Sequence, residues 1–167
     1  MLFVTACATA YQPQGFSGGF SEIPIAEDAY KINVQGNGFT NAGRVNEMAL
    51  LRGAELANEN GYSYFVVLDN ATYKQTSQYT TPSTSTTNTY GSSQAYIYGN
   101  TVNAYGSSTS KTTYNPGQTY NIVKPGVDVI IQFVPAEYAR EARALSVTQI
   151  YSMYAEKYGL EFSQTEP

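Results

Sequence analysis

Tyr30-Lys31-Ile32-Asn33-Val34-Gln35-Gly36-Asn37-Gly38 opens the stretch that decides the fold, and Gly61-Tyr62-Ser63-Tyr64-Phe65-Val66-Val67-Leu68 closes it. Apolar and polar residues alternate over 30–35, the mark of a half-buried strand. Between the two segments, Thr40 or Asn41 offers an N-cap for a helix running from about Arg44 to Asn60. Gly61 suits the left-handed position just past its end. At 100° per residue, Val45, Ala49, Leu50, Gly53, Leu56 and Ala57 fall on one broad face. Arg44, Glu47, Glu55 and Asn58 fall opposite. Ala49, Gly53 and Ala57 are small, so the helix can lie close on a sheet. Residues 62–68 form a nearly continuous β-favouring run, which predicts a central strand covered on both faces. Strand, helix and strand in succession predict a βαβ unit with a right-handed crossover.

Working towards the C-terminus, the composition changes at Tyr73. Residues 73–120 are Ser, Thr, Tyr, Asn, Gln and Gly with little else, and no acidic residue occurs between Asp69 and Asp128. Half of the 16 tyrosines fall in this segment. Tyr90-Gly91-Ser92-Ser93 and Tyr105-Gly106-Ser107-Ser108 flank Gly99-Asn100 in near-mirror positions. With Gly99-Asn100 as a two-residue turn, Ile97 faces Val102 and Ala95 faces Ala104. Tyr98 then faces Thr101, and Tyr96 faces Asn103. This register predicts a β-hairpin with mobile shoulders; a disordered polar loop is the competing reading. Tyr96 and Tyr98, with Tyr90 and Tyr105 nearby, form a candidate aromatic surface for sugars or protein partners. The plainer reading is that these tyrosines fill half-exposed strand positions.

Pro125-Gly126 marks the return to the fold, and residues 127–134 read as a strong strand. Pro135 suits the first turn of a helix, and residues 137–158 keep a helical pattern whose apolar stripe shifts. Tyr138, Ala139, Ala142 and Leu145 share one face; Val147, Ile150, Tyr154 and Tyr158 share another. Ser146-Val147-Thr148-Gln149 has the capping-box form, so a bend or a junction of two helices is expected near Ser146. Gly159 ends the last helix, and residues 161–167 are tail.

Towards the N-terminus, residues 8–29 show no period and read as a tether, although Phe16, Phe20, Ile23 and Ile25 have the character to dock on the domain. Cys7 is the only cysteine of the 167-residue chain. It follows Val4-Thr5-Ala6, an arrangement that resembles the lipobox of bacterial lipoproteins. Alternatively a lone cysteine is a small buried hydrophobe. On the lipobox reading, residues 1–6 are the remnant of a signal peptide that begins upstream. Cys7 then becomes the mature N-terminus and carries acyl chains on its sulfur and its amino group. Several chains give stable anchoring where one is marginal. Ala8 in second position favours the outer membrane.

The bulk numbers exclude several classes. Net charge is −4 with a sequence pI near 4.7, and positive charge is too sparse for a nucleic-acid footprint. Charged residues make up 13%, against roughly 25% in an ordinary soluble domain, a bias found in envelope and extracellular proteins. Histidine is absent, which removes Ser-His-Asp and Cys-His triads, most zinc sites and imidazole bases. Glu22, Glu27, Asp28 and Asp69 are candidates for a carboxylate pair, but nothing in their spacing places two on one surface, and they read as solvated carboxylates of tether and loop. Gly36-Asn37-Gly38 imitates the start of a dinucleotide fingerprint, but Asn41 stands where the third glycine belongs. No catalytic residue, metal or cofactor is expected.

The lipobox, the 30–38 strand and turn, Leu50-Leu51-Arg52-Gly53-Ala54-Glu55-Leu56-Ala57 and Gly61-Tyr62-Ser63-Tyr64-Phe65-Val66-Val67 together resemble a family of proteobacterial lipoproteins of uncharacterised activity. The likeness covers residues 4–7 and 30–70 and, more loosely, 123–160. It implies an envelope lipoprotein and supplies no catalytic residues.

The expectation is therefore a single α/β (or α+β) domain over residues 30–160. It has a small three- to four-stranded sheet, two helical segments packed on it, and a protruding polar hairpin within insertion 73–120. Functionally, it predicts a non-enzymatic structural or adaptor component of the envelope, held to the membrane by Cys7, with an envelope protein or cell-wall polymer as partner. The alternative is self-association or surface adhesion through the Tyr/Ser/Thr-rich strands.

Overall fold

The computed structural model describes residues 8–161, and Cys7 lies outside them. The chain divides into two compact units. One is formed by the chain up to Ser77 and again from Ile122, the other by Gln78–Asn121. The elements run β1 (Gly19–Ala26), β2 (Ala29–Gln35), α1 (Ala42–Glu59), β3 (Tyr64–Thr80), β4 (Thr84–Tyr98), β5 (Thr101–Asn115), β6 (Thr119–Phe133), a 3-10 turn (Ala136–Tyr138), β7 (Leu145–Ser146) and α2 (Val147–Tyr158).

An α/β fold with a sheet is present, and the sheet is larger than the three or four strands expected. Five strands lie in the order β1-β2-β6-β3-β7, and the pairing is antiparallel. The segment 30–38, the helix and the segment 62–68 do follow one another as strand, helix and strand. However, β6 lies between β2 and β3, so the crossover skips a strand rather than joining neighbours. The expected cover on both faces of 62–68 is also absent. Phe65 is buried and Val67 half-buried, whereas Leu68 is exposed. An antiparallel sheet can leave one face to water. That open face carries Lys31, Asn33 and Asp128 between β2 and β6, with Lys31 Nζ 3.0 Å from Asp128 and Asn33 donating to Asp128 at 2.6 Å.

The covered face supplies Ile32, Val34, Phe65, Val127, Val129, Ile131 and Phe133 to one core. From α1 come Val45, Met48, Ala49, Leu51, Ala54, Leu56 and Ala57, and from α2 Val147, Ile150, Tyr151 and Ala155. Gly53 makes the close approach that its size allows: a Cβ there would sit 3.1 Å from Phe65 Cε2. Asn41, not Thr40, caps α1, its side chain accepting from Arg44 N at 2.8 Å. Gly61 and Gly159 follow α1 and α2 with φ of +78° and +69°.

Two stretches differ from their sequence reading. Residues 8–29 are not a plain tether, because β1 forms the sheet edge within them. Phe20 alone docks in the core; Phe16, Ile23 and Ile25 are exposed. Residues 137–146 are not a helix either. The 3-10 turn ends at Tyr138, Arg143 takes φ +53°, and Leu145-Ser146 adds β7 beside Phe65-Tyr64. Ser146 still caps α2 by accepting from Gln149 N, as the capping-box pattern requires.

In the second unit, β4 and β5 pair without interruption from Thr84↔Asn115 to Tyr98↔Thr101. The pairs Ile97↔Val102, Ala95↔Ala104 and Tyr96↔Asn103 are those expected from the mirror pattern. The shoulders, expected to be mobile, are strand as well. Gly99 carries φ +60° and Asn100 does not share a positive φ, which fits a turn of type II′ with glycine in the first central position.

Candidate functional site

Strand geometry decides how the four candidate tyrosines meet. Residues two apart on a strand share a face, and directly paired residues share it across the ladder. Tyr90, Tyr96 and Tyr98 are thus on one face of β4. Tyr105 of β5, paired with Gln94, is on the same face and diagonal to Tyr96. All four are open to solvent, from 54% for Tyr96 to 80% for Tyr98. The Tyr96 hydroxyl donates to Gln94 Oε1 at 2.9 Å. Gly91, Ser92, Ser93, Gly106, Ser107 and Ser108 leave a shallow open notch beside this row.

The opposite face is smaller. Ala95, Ile97, Val102 and Ala104 make an apolar end near the turn, and hydroxyl pairs Thr87–Thr112 and Thr89–Ser110, each at 2.9 Å, continue it. No residue of β4 or β5 is buried, and among the described residues each strand has only the other as a neighbour. Lys111 is the only charged side chain between residues 78 and 121.

In the first unit, a buried hydroxyl cluster holds the chain two residues beyond Cys7. Thr9 is 1% exposed. Its N–H donates to Thr40 Oγ1 at 2.9 Å, and its hydroxyl donates to Ser17 O at 3.0 Å while lying 2.8 Å from Thr40 Oγ1. Asn37 N–H donates to Thr9 Oγ1 and Arg44 Nε to Thr9 O, each at 2.9 Å. Ordered polar groups of this kind offset the cost of leaving water only when each finds a partner.

A charged network continues from there. Tyr11 donates to Glu55 Oε2 at 2.6 Å, and its ring lies 4.7 Å from that of Phe20. Burial, then the Glu55 carboxylate, holds the Tyr11 phenol far above its ordinary range. Arg52 contacts Glu55 at 2.8 Å, Glu22 at 2.9 Å and Glu59 at 3.1 Å. Burial opposes its charge, but the bonds to Glu22 and Glu55 outweigh it and raise its pKa. Burial also works against the Glu47 carboxylate, and hydrogen bonds from Lys157 and Tyr158 reverse the balance, leaving its pKa below the usual carboxylate range. Tyr151 is pushed up to about 12, first by burial and then by Glu55 and Glu59.

The structure thus places Tyr90, Tyr96, Tyr98 and Tyr105 on one face of the hairpin, with Tyr96, Tyr98 and Tyr105 near the turn and Tyr90 roughly 20 Å along β4 from Tyr96, whereas the acyl-acceptor candidate Cys7 lies outside the described residues. Thr9, Tyr11 and Arg52 were missed in the sequence, where a polar stretch without period hid the first two. Among the described residues no three His, Cys, Asp or Glu side chains form a metal cluster. No protein-family model matches the sequence, and neither a curated protein nor a solved structure matches it.

Proposed function

We propose that this chain is a non-enzymatic component of a bacterial envelope, anchored in the outer membrane by acylated Cys7, whose β4–β5 hairpin joins copies of the chain to one another. One observation carries the assembly reading. Two paired 15-residue strands have no buried residue, and each presents an edge with no partner strand among the described residues. A two-stranded sheet is marginal alone in water, and long edges with little charge are templates for further strands. The single Lys111 leaves little like-charge repulsion between copies. The mirrored Tyr-Gly-Ser-Ser segments make the two strands similar partners.

The tyrosine face favours a second reading, an adaptor that grips an envelope protein or cell-wall polymer with Tyr90, Tyr96, Tyr98 and Tyr105. Deleting residues 84–115 separates the two. Sedimentation over a range of concentrations should show oligomers for the full chain and a monomer with unchanged helical circular dichroism for the deletion. A full chain that stays monomeric throughout rejects assembly, and loss of a co-purifying envelope partner on deletion then favours the adaptor.

A further inference from the structure

Thr9 fixes where an anchor at Cys7 would enter the domain. Two peptide units separate the Cα atoms of Cys7 and Thr9, a reach of at most about 7 Å. Ala8 is exposed and Thr9 is buried, so the chain leaves the surface at that point without a spacer.

Two bare aromatic side chains border the exit. Phe16 stands at the tip of a turn closed by mutual Gly15–Gly18 backbone bonds of 3.1 Å, and it is 109% exposed. Its chain neighbour Ser17 accepts from Thr9. Phe39, 75% exposed, precedes Thr40, which also bonds Thr9. The turn carrying Phe39 rests on β6: a Cβ at Gly38 would run into Ile122 Cγ2, and Gly36 N–H donates to Pro125 O at 2.8 Å. Residues 8–20 and 36–43 contain no charged side chain, and 122–127 contain only Lys124. The nearest charge on Thr9 itself is Arg44. Two bare aromatic rings on segments that themselves carry no carboxylate, with Arg44 and Lys124 as the flanking cations, suit the interface of a lipid bilayer, which accepts aromatic rings and repels acidic groups.

We infer that Phe16 and Phe39 form a membrane-facing rim around Thr9, which seats the first unit flush on the lipid headgroups. This rests on the acylation of Cys7 proposed above. The orientation of the unit is then set by three points, the acyl chains and the two rings, instead of swinging on a tether.

The chain has no tryptophan, so single substitutions report depth directly. Phe16→Trp and Phe39→Trp would be compared with Tyr138→Trp, an exposed site beyond the far end of the β2–β6 pair, roughly 20 Å along the strands. Each full-length protein would be purified with its lipid and reconstituted in vesicles of phosphatidylethanolamine and phosphatidylglycerol containing brominated acyl chains. The inference requires blue-shifted, bromine-quenched emission at positions 16 and 39 and water-like emission at 138. Vesicles that float with the protein while all three tryptophans stay water-like overturn the rim and leave the anchor standing. Protein that fails to float, with Cys7 unmodified by mass spectrometry, overturns both.

Discussion

The guanidinium of Arg52 stands among Glu22 of β1 and Glu55 and Glu59 of α1, and it lies 5.1 Å from the Phe20 ring centroid. One side chain therefore ties the edge strand to the helix, both through its ion pairs and through the guanidinium that lies over the Phe20 ring. Its Nε is buried without a hydrogen-bond partner among the described residues, so part of the gain is lost to desolvation. Removing the cation leaves Glu22 and Glu55 facing each other at low exposure. Arg52→Ala should lower unfolding stability by about 3 kcal/mol, with protection of β1 amides lost first in hydrogen exchange. A change below about 0.5 kcal/mol would mean that the carboxylates find water as readily as they find Arg52. The sequence could not show this cluster. On a helical wheel Glu55 reads as solvated, and Glu22 belongs to a stretch with no period. The tyrosine face was readable because strand alternation needs only a turn and a register.

Elements differ in the same way. β2, α1 and the β4–β5 hairpin are written in patterns that carry their own period, and each appears where the pattern places it. β6 covers the expected 127–133 but begins at Thr119 and runs through Pro125-Gly126, and β3 continues past Leu68 to Thr80, because the two neighbouring strands extend each other by backbone pairing where apolar content gives no signal. β1 is not, because only its first two residues are buried and Pro24 interrupts it; an edge strand pairs on one side and tolerates this. The false helix over 137–146 came from apolar spacing alone. Spacing cannot register that Arg143 adopts φ +53°, a conformation no helix contains. At the hairpin, the turn glycine does for β4 and β5 what capping does for a helix. Gly99 sits at φ +60° with open space around it, so a side chain there meets no clash and costs only backbone strain. Gly99→Val should destabilise the turn by about 1–2 kcal/mol and weaken the nuclear Overhauser contacts between Ile97 and Val102, with α1 and α2 unchanged. Retention of those contacts at full strength would show that the ladder, not the turn, sets the register.

For the whole molecule, the absence of histidine shapes the response to pH. No side chain among the described residues has an ordinary titration between the carboxylates and the tyrosines, so stability should stay level from about pH 5.5 to 9. On the acid side, Asp128 is held below its usual range by the Asn33 hydrogen bond and by Lys31, and Glu47 by Lys157 and Tyr158 against the opposing effect of burial. Carboxylates with depressed folded values stabilise the fold above their unfolded values, near pH 4, and that contribution disappears as pH falls through the folded ones. On the alkaline side, Tyr11, Tyr151 and Tyr158 are raised, each chiefly by burial, and Glu55 or Glu47 adds to it. Groups with raised folded values leave stability intact below their unfolded value, near pH 10, and remove it as pH climbs towards the folded ones. Thermal melts followed by circular dichroism from pH 3 to 11 should trace a plateau with two falling limbs, and Glu47→Gln should shorten the acid limb. A midpoint that drifts steadily across pH 6–9 would require a titrating group that these described residues do not contain.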